Sequence, residues 1–159
     1  MNLLKSNFWI TLAKFFNRRL MVKKKNFIYS PANKRMEEEM SKELAPLLGL
    51  MLARKITTRT LIKREFGIDY KTIAKLVDEV KPVATVTILK LNYVIAYYLH
   101  LEKVKLERLD PSASEVEKRT NILNNLDCKY RSLYGFTATF VLQQIKDNED
   151  LRQIVKPKQ

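Results

Sequence analysis

The side chains with the clearest chemical potential in this sequence are basic, and they are concentrated near its beginning. Nine Lys and Arg residues precede Glu37, the first acidic residue. Six of the nine lie within residues 14–25: Lys14, Arg18, Arg19, Lys23, Lys24 and Lys25. The nine supply most of the formal net charge of +13, because residues 37–159 carry 21 basic and 17 acidic side chains. A cationic segment of this kind binds polyanions, so nucleic acid and anionic membrane surfaces are the candidate partners.

The residues that usually carry catalysis or metal binding are scarce. His100 is the only histidine, and no cysteine or second histidine is spaced to share a metal with it. Cys128 is the only cysteine, which predicts a reducing, intracellular compartment and a small buried side chain. No nucleophile–base pair or paired carboxylates are evident. The sequence therefore predicts a protein that is not an enzyme and that uses no cofactor and no metal.

The first 35 residues are predicted to form a basic amphipathic arm. Within residues 3–20 one helical face is apolar, and its members are Leu4, Phe8, Leu12, Phe15 and Phe16. Four interpretations stay open: an organelle-targeting presequence, a helix lying on anionic lipid, an arm that binds phosphates while gripping a neighbouring subunit, and a surface helix docked on its own body. A turn predicted over residues 30–33 separates the arm from a helical domain, residues 36–155, and a short tail, residues 156–159.

The pattern of the body is helical throughout. Glu37 to Glu39 suit a helix amino terminus, and Pro46 predicts a kink or a restart. Thr57 or Thr58 is expected to cap the next helix. A long helix is predicted from Pro82 to about residue 108, and no apolar stretch approaches the roughly 20 residues of a membrane span.

The last part of the body is predicted to contain one more long helical stretch. Asp110 is expected to be its N-cap, with Pro111 at the first helical position. Apolar residues then recur at intervals of three and four as far as Ile145. Gly135 lies inside this stretch and predicts a kink or a close helix crossing.

Residues 59–78, RTLIKREFGIDYKTIAKLVD, have the spacing of two short helices joined by a tight turn. Gly67 supplies the left-handed turn residue, and Asp69 is placed to cap the second helix. Apolar residues at matching intervals would pack the two helices together, and these are Ile62, Phe66, Ile68, Ile73 and Leu76. This segment resembles the helix-turn-helix motif of DNA-binding proteins.

The resemblance implies specific roles. Tyr70, Lys71 and Lys75 would face outward from the second helix and meet bases or phosphates in the major groove. Arg59 and Lys63 would lie near the DNA backbone, and a preceding helix over residues 47–54 would complete a three-helix unit. Lys63 departs from the family pattern, which favours a small residue at the helix crossing. Its long apolar stem would therefore have to carry the ammonium group out to solvent.

Together these features predict an all-α fold, a helical bundle containing a three-helix, helix-turn-helix-like unit with a basic amphipathic N-terminal arm. The predicted function is non-enzymatic nucleic-acid binding, with DNA favoured, either as a regulator or as a coating subunit of a nucleoprotein assembly such as a viral coat. Protein partners or further copies of the chain would bind the apolar face of the arm. The alternative is a structural subunit of a membrane-associated or organellar complex, so a virion or an organelle is a candidate location.

Overall fold

The fold is described by a computed structural model, which covers residues 31–134 and 138–147. Its helices are α1 (Pro31–Ala53), α2 (Arg59–Phe66), α3 (Tyr70–Val77), α4 (Thr85–Glu107), α5 (Ser114–Tyr134) and α6 (Ala138–Asp147). The described residues contain no strand, which confirms the predicted all-α class. Several residues with predicted roles lie outside the described residues: Lys14, Arg18, Arg19, Lys23, Lys24, Lys25 and Gly135.

Helix α4 is the centre of the bundle. It packs against α1, α2, α5 and α6, and apolar residues occur on most of its sides. A helix that is apolar nearly all round is stable in water only when other elements surround it. Its buried residues meet those of α1 and α5 in one continuous core, which includes Leu44, Leu48, Met51, Ile88, Leu91, Val94, Ile95, Leu126 and Tyr130. The long helix predicted from this part of the sequence is confirmed.

Buried polar contacts fix how the long helices meet. The Tyr130 hydroxyl on α5 donates to Asn92 Oδ1 on α4 at 2.8 Å, and both side chains are fully buried. Arg119 on α5 forms a salt bridge with Glu102 on α4 and also donates from Nη1 to the Arg54 carbonyl at 3.3 Å. Arg119 therefore ties α5 both to α4 and to the segment that follows α1.

The first helix differs from its prediction. Residues 31–33 are helical, so the turn predicted there is wrong, and Pro31 takes the first helical position, where its missing N–H costs nothing. Glu37 to Glu39 consequently lie beyond the first turn. The helix also runs through Pro46 without restarting, and Pro46 is exposed. Solvent can therefore reach the carbonyl that loses its intrahelical partner.

Two further expectations, for Asp110 and Cys128, are corrected. Asp110 does not cap a helix: its Oδ1 accepts from the Ser112 N–H and hydroxyl at 2.9 and 2.8 Å, which closes a local turn, and α5 starts only at Ser114. Within the stretch predicted after Asp110, Ser114–Tyr134 and Ala138–Asp147 are helical. Cys128 is exposed rather than buried.

None of the described helices is both long enough and apolar enough to cross a bilayer.

Candidate nucleic-acid interface

The turn between α2 and α3 has the geometry that the sequence predicts. Gly67 ends α2 in the left-handed conformation with φ of 72°, and its N–H donates to the Lys63 carbonyl. An L-side chain at this position would be strained because its Cβ crowds the backbone. The turn is therefore tight enough to bring two eight-residue helices directly into contact.

Side-chain caps define where both helices begin. Thr58 Oγ1 accepts from the Leu61 N–H at 3.1 Å, and Asp69 Oδ1 accepts from the Thr72 N–H at 2.8 Å. The bond from Thr72 lowers the pKa of Asp69, because it favours the charged carboxylate. Of the two threonines considered for the first cap, Thr58 takes the role, and Thr57 is buried. The cap predicted for Asp69 is confirmed.

The inner face of the unit is apolar and is joined to the rest of the bundle. All five residues predicted to pack the two helices together are buried: Ile62, Phe66, Ile68, Ile73 and Leu76. Helix α3 packs on α1, which is longer than the helix predicted over residues 47–54. Phe66 lies edge-on to Tyr93, Tyr97 and Tyr98 of α4, with ring centroids 5.6–5.9 Å apart. A rigid scaffold thus holds the orientation of α3.

Glu65 adds a polar contact at the same junction. The Tyr98 hydroxyl donates to Glu65 Oε2 at 2.6 Å. Burial raises the pKa of Tyr98, and the bond to Glu65 raises it further, so the phenol stays protonated as a donor. No local sequence pattern indicates this contact, because 33 positions separate the two residues.

Arg59 is engaged within the unit rather than extended to solvent. Its guanidinium donates to both carboxylate oxygens of Asp78, at 2.8 and 3.0 Å, and so joins the start of α2 to the end of α3. This bidentate pair lowers the pKa of Asp78. Arg59 was predicted to lie near a DNA backbone, and in this structure Asp78 holds the group that such a contact would use.

The outer face of α3 presents three of the predicted residues to solvent: Tyr70, Lys71 and Lys75. Lys71 and Lys75 are four positions apart, so they lie on the same side of the helix. Neither forms an ion pair with a residue that the structure describes. These two ammonium groups are therefore available to an anionic ligand.

Lys63 and Tyr70 lie against each other on this outer face. The Lys63 ammonium is 4.6 Å from the centroid of the Tyr70 ring, and the Tyr70 hydroxyl is 3.5 Å from Thr60 Oγ1. Lys63 is exposed, so its stem does carry the charge out of the helix crossing, as its prediction required. The contact directs the Tyr70 ring towards α2 and adds a third positive charge beside Lys71.

The wider charge pattern agrees with this local one. Residues 54–81, called the basic segment below, contain eight basic and four acidic side chains. All four acids are held by neighbours: Glu65 by Tyr98, Asp69 by the Thr72 N–H, Asp78 by Arg59, and Glu79 by Lys81 at 2.7 Å. The excess of +4 equals the whole balance of residues 37–159. Positive potential in the body is thus concentrated around α2 and α3.

No group of three or more side chains able to hold a metal ion occurs within residues 31–134 and 138–147. In comparisons with known proteins, no family model, no curated protein and no solved structure matches this chain. A proposal about function therefore depends on the geometry and charge of the chain itself.

Proposed function

We propose that this protein binds DNA through the outer face of α3, with α2 and α3 acting as a helix-turn-helix unit. The observation that carries the proposal is the position of Lys71 and Lys75, two exposed lysines that lie one turn apart on α3 and form no ion pair with a described residue. The cap, the preceding turn and the inner face of α3 are all held by neighbouring residues. In modules of this kind the amino-terminal residues of the second helix meet base edges in the major groove. Lys71 is at the second position of α3 and would therefore be the residue that contacts a base.

The remaining positive charges would supply affinity without selecting a sequence. Lys75 and Lys63 are exposed near α3 and would each neutralise a phosphate, with release of a counterion. The arm would add Lys14, Arg18, Arg19, Lys23, Lys24 and Lys25 to the same effect. Such a protein would bind any DNA duplex at low salt and would discriminate between DNA sequences through the base contacts of Lys71 and Tyr70.

The test is a fluorescence-anisotropy titration of labelled duplex DNA with the full chain, across a salt series. We expect Lys75→Ala to reduce the slope of log affinity against log salt by about 0.9, the value for one phosphate contact on duplex DNA. Lys129→Ala is the matched control, because Lys129 is an exposed lysine on α5, outside the basic segment. It should leave the slope nearly unchanged.

Sequence preference needs a second arm of the experiment. A preferred duplex is first selected from a random pool, and its affinity is compared with that of an unselected duplex. Lys71→Ala should weaken the selected duplex by about tenfold more, since one good base contact is worth roughly 1–3 kcal/mol. Equal weakening of both duplexes would remove the claim that Lys71 reads a base, while leaving phosphate binding intact.

Two other outcomes of these experiments would favour a different function. If the length of DNA covered by the protein increased in proportion to the length of the duplex, without a preferred sequence, this result would favour a coating subunit of a nucleoprotein assembly. No binding by the full chain at low salt would contradict DNA binding altogether. The structural subunit with an interfacial arm would then be tested by flotation of the chain with anionic and neutral liposomes.

A further inference from the structure

A cavity lies between α4 and α5, beside the first residue of α6, and the basic segment contributes nothing to it. Its volume is about 460 Å³, within the range of roughly 300–1,000 Å³ that small-molecule sites occupy. Six apolar side chains of the described residues line it: Leu99, Leu106, Pro111, Val116, Leu123 and Ala138. Because Leu99, Leu123 and Ala138 are nearly fully buried, the apolar surface is part of the packed core and is rigid.

The net charge of the described residues that line this cavity is opposite in sign to the net charge of the protein. Asp127 on α5 and Glu107 on α4 are both in its lining, and with His100 counted as neutral, Lys103 is the only cation among the described lining residues. These described residues thus have a summed formal charge of −1, in a chain whose net charge is +13. Such a cavity attracts small cations in spite of the surrounding positive charge, since at physiological salt charges more than about 8 Å away are screened.

Asp127 is the residue most able to bind a ligand. Its side chain is half-buried, and it makes no hydrogen bond or ion pair with a residue that the structure describes. A cation bound in the cavity would therefore not have to displace a partner of this carboxylate among the described residues. Lys103 does not fill this role: it is exposed, and its long stem allows the ammonium group to turn to solvent.

We propose that this cavity binds a small organic cation, with the ammonium group of the ligand paired to the Asp127 carboxylate. The apolar body of the ligand would lie on Leu99 and Leu123, which form part of the rigid apolar lining. An anion of the same shape would meet two carboxylates, Asp127 and Glu107, and would be rejected. This proposal does not rest on DNA binding, and the two are tested by separate experiments.

The test uses the full chain and three probes of nearly equal shape: benzylammonium, benzyl alcohol and benzoate. Binding is followed by the backbone amide signals of the lining residues in two-dimensional ¹H–¹⁵N NMR spectra. We expect benzylammonium to shift these signals with a Kd of about 1 mM, as befits a ligand of so few atoms. Benzyl alcohol should bind about tenfold more weakly, and benzoate should cause no shift.

A variant assigns the ionic contact. Asp127→Asn keeps the size of the side chain and should reduce affinity for benzylammonium by about tenfold, the value of one charge-assisted hydrogen bond. Glu117→Gln is the matched control, because Glu117 is an exposed acid of α5 outside the lining. It should leave the affinity unchanged.

The proposal would be overturned if benzoate bound with the same affinity as benzylammonium, or if Asp127→Asn and the unmodified chain bound benzylammonium equally well. It would also be overturned if no probe shifted the signals at about 5 mM, several times the expected Kd. The comparison of the three probes does not depend on a variant, so it decides the charge of the ligand even if Asp127→Asn fails to fold.

Discussion

The basic segment and the pair α4–α5 are built in different ways, although they touch. Each eight-residue helix of the basic segment begins at a side-chain cap, Thr58 or Asp69, and the two are clamped by Arg59 and Asp78 at the surface. Helix α4 has 23 residues and no side-chain cap at its start. Burial among other helices holds α4, whereas helices as short as α2 and α3 are not stable alone.

This difference separates stability from binding. The Arg59–Asp78 and Lys81–Glu79 ion pairs of the basic segment are exposed, so each adds little to stability, but together they decide which charges face outward. The Glu102–Arg119 contact between α4 and α5 is largely buried, since the Glu102 side chain is 8% exposed and that of Arg119 is 28% exposed. Substitutions in α4–α5 should therefore alter unfolding, and substitutions on the face of α3 should alter binding.

The largest effect is expected for Arg119→Ala. This change leaves the Glu102 carboxylate buried without its cation and removes the bond to the Arg54 carbonyl. Breaking a buried pair by removing one partner costs about 3 kcal/mol or more. Urea unfolding followed by circular dichroism measures the loss.

Arg131→Ala is the control for this substitution, because Arg131 is an exposed arginine on the same helix. It should change the free energy of unfolding by less than about 0.5 kcal/mol. Equal losses in the two variants would mean that the Glu102–Arg119 contact contributes nothing beyond the helix that carries it.

Smaller effects, of opposite sign, are expected for two glycine substitutions, one in the basic segment and one in α1. Gly67→Ala places a side chain at φ of 72° and should destabilise the protein by about 1 kcal/mol. Gly49→Ala lies inside α1, where an added Cβ would meet Val77 Cγ1 at 3.5 Å, an ordinary contact. Alanine there should stabilise the protein by about 0.5–1 kcal/mol.

Thermal unfolding of both glycine variants checks this pair of predictions. The contradicting result is a higher midpoint for Gly67→Ala, which would mean that the turn relaxes out of the left-handed region without cost. A lower midpoint for Gly49→Ala would mean instead that α1 and α3 pack too closely at Val77 for an added methyl group.

Features that depend on local interactions could be predicted from the amino-acid sequence. The left-handed Gly67 and the cap at Asp69 each depend on residues within a few positions, and α4 was predicted from the helical spacing of its apolar residues. The exposure of Tyr70, Lys71 and Lys75 followed from the helical period once the buried face was known. The same rules failed at Asp110, because an aspartate that closes a turn and one that caps a helix have nearly the same neighbours.

Contacts between distant positions could not be predicted. Arg59 and Asp78 are 19 positions apart, and Glu102 and Arg119 are 17 apart, so no periodicity relates them. The exposure of Cys128 depends on which side of α5 faces α4, and the weak amphipathicity of that helix does not indicate it. The acidic cavity is formed by residues of α4 and α5 that come together only on folding.

The smallest expected effect concerns Arg59, which belongs to the basic segment but is held by Asp78 in an ion pair that joins α2 and α3. Asp78→Asn should release its guanidinium, since an amide accepts fewer hydrogen bonds from it and carries no charge. If DNA binds the α3 face, the freed Arg59 gains one phosphate contact. The salt slope should then steepen by about 0.9, and affinity should rise at low salt.

The control for Asp78→Asn is the same change in an Arg59→Gln background. Removing any acid near DNA raises affinity somewhat, but only a released Arg59 adds a contact that disappears in this background. Arg59→Gln alone should leave the slope of the unmodified protein nearly unchanged, because Asp78 already occupies that guanidinium. A slope that steepens equally in both backgrounds would assign the gain to general charge, and Asp78 would then have no part in withholding Arg59 from the phosphates.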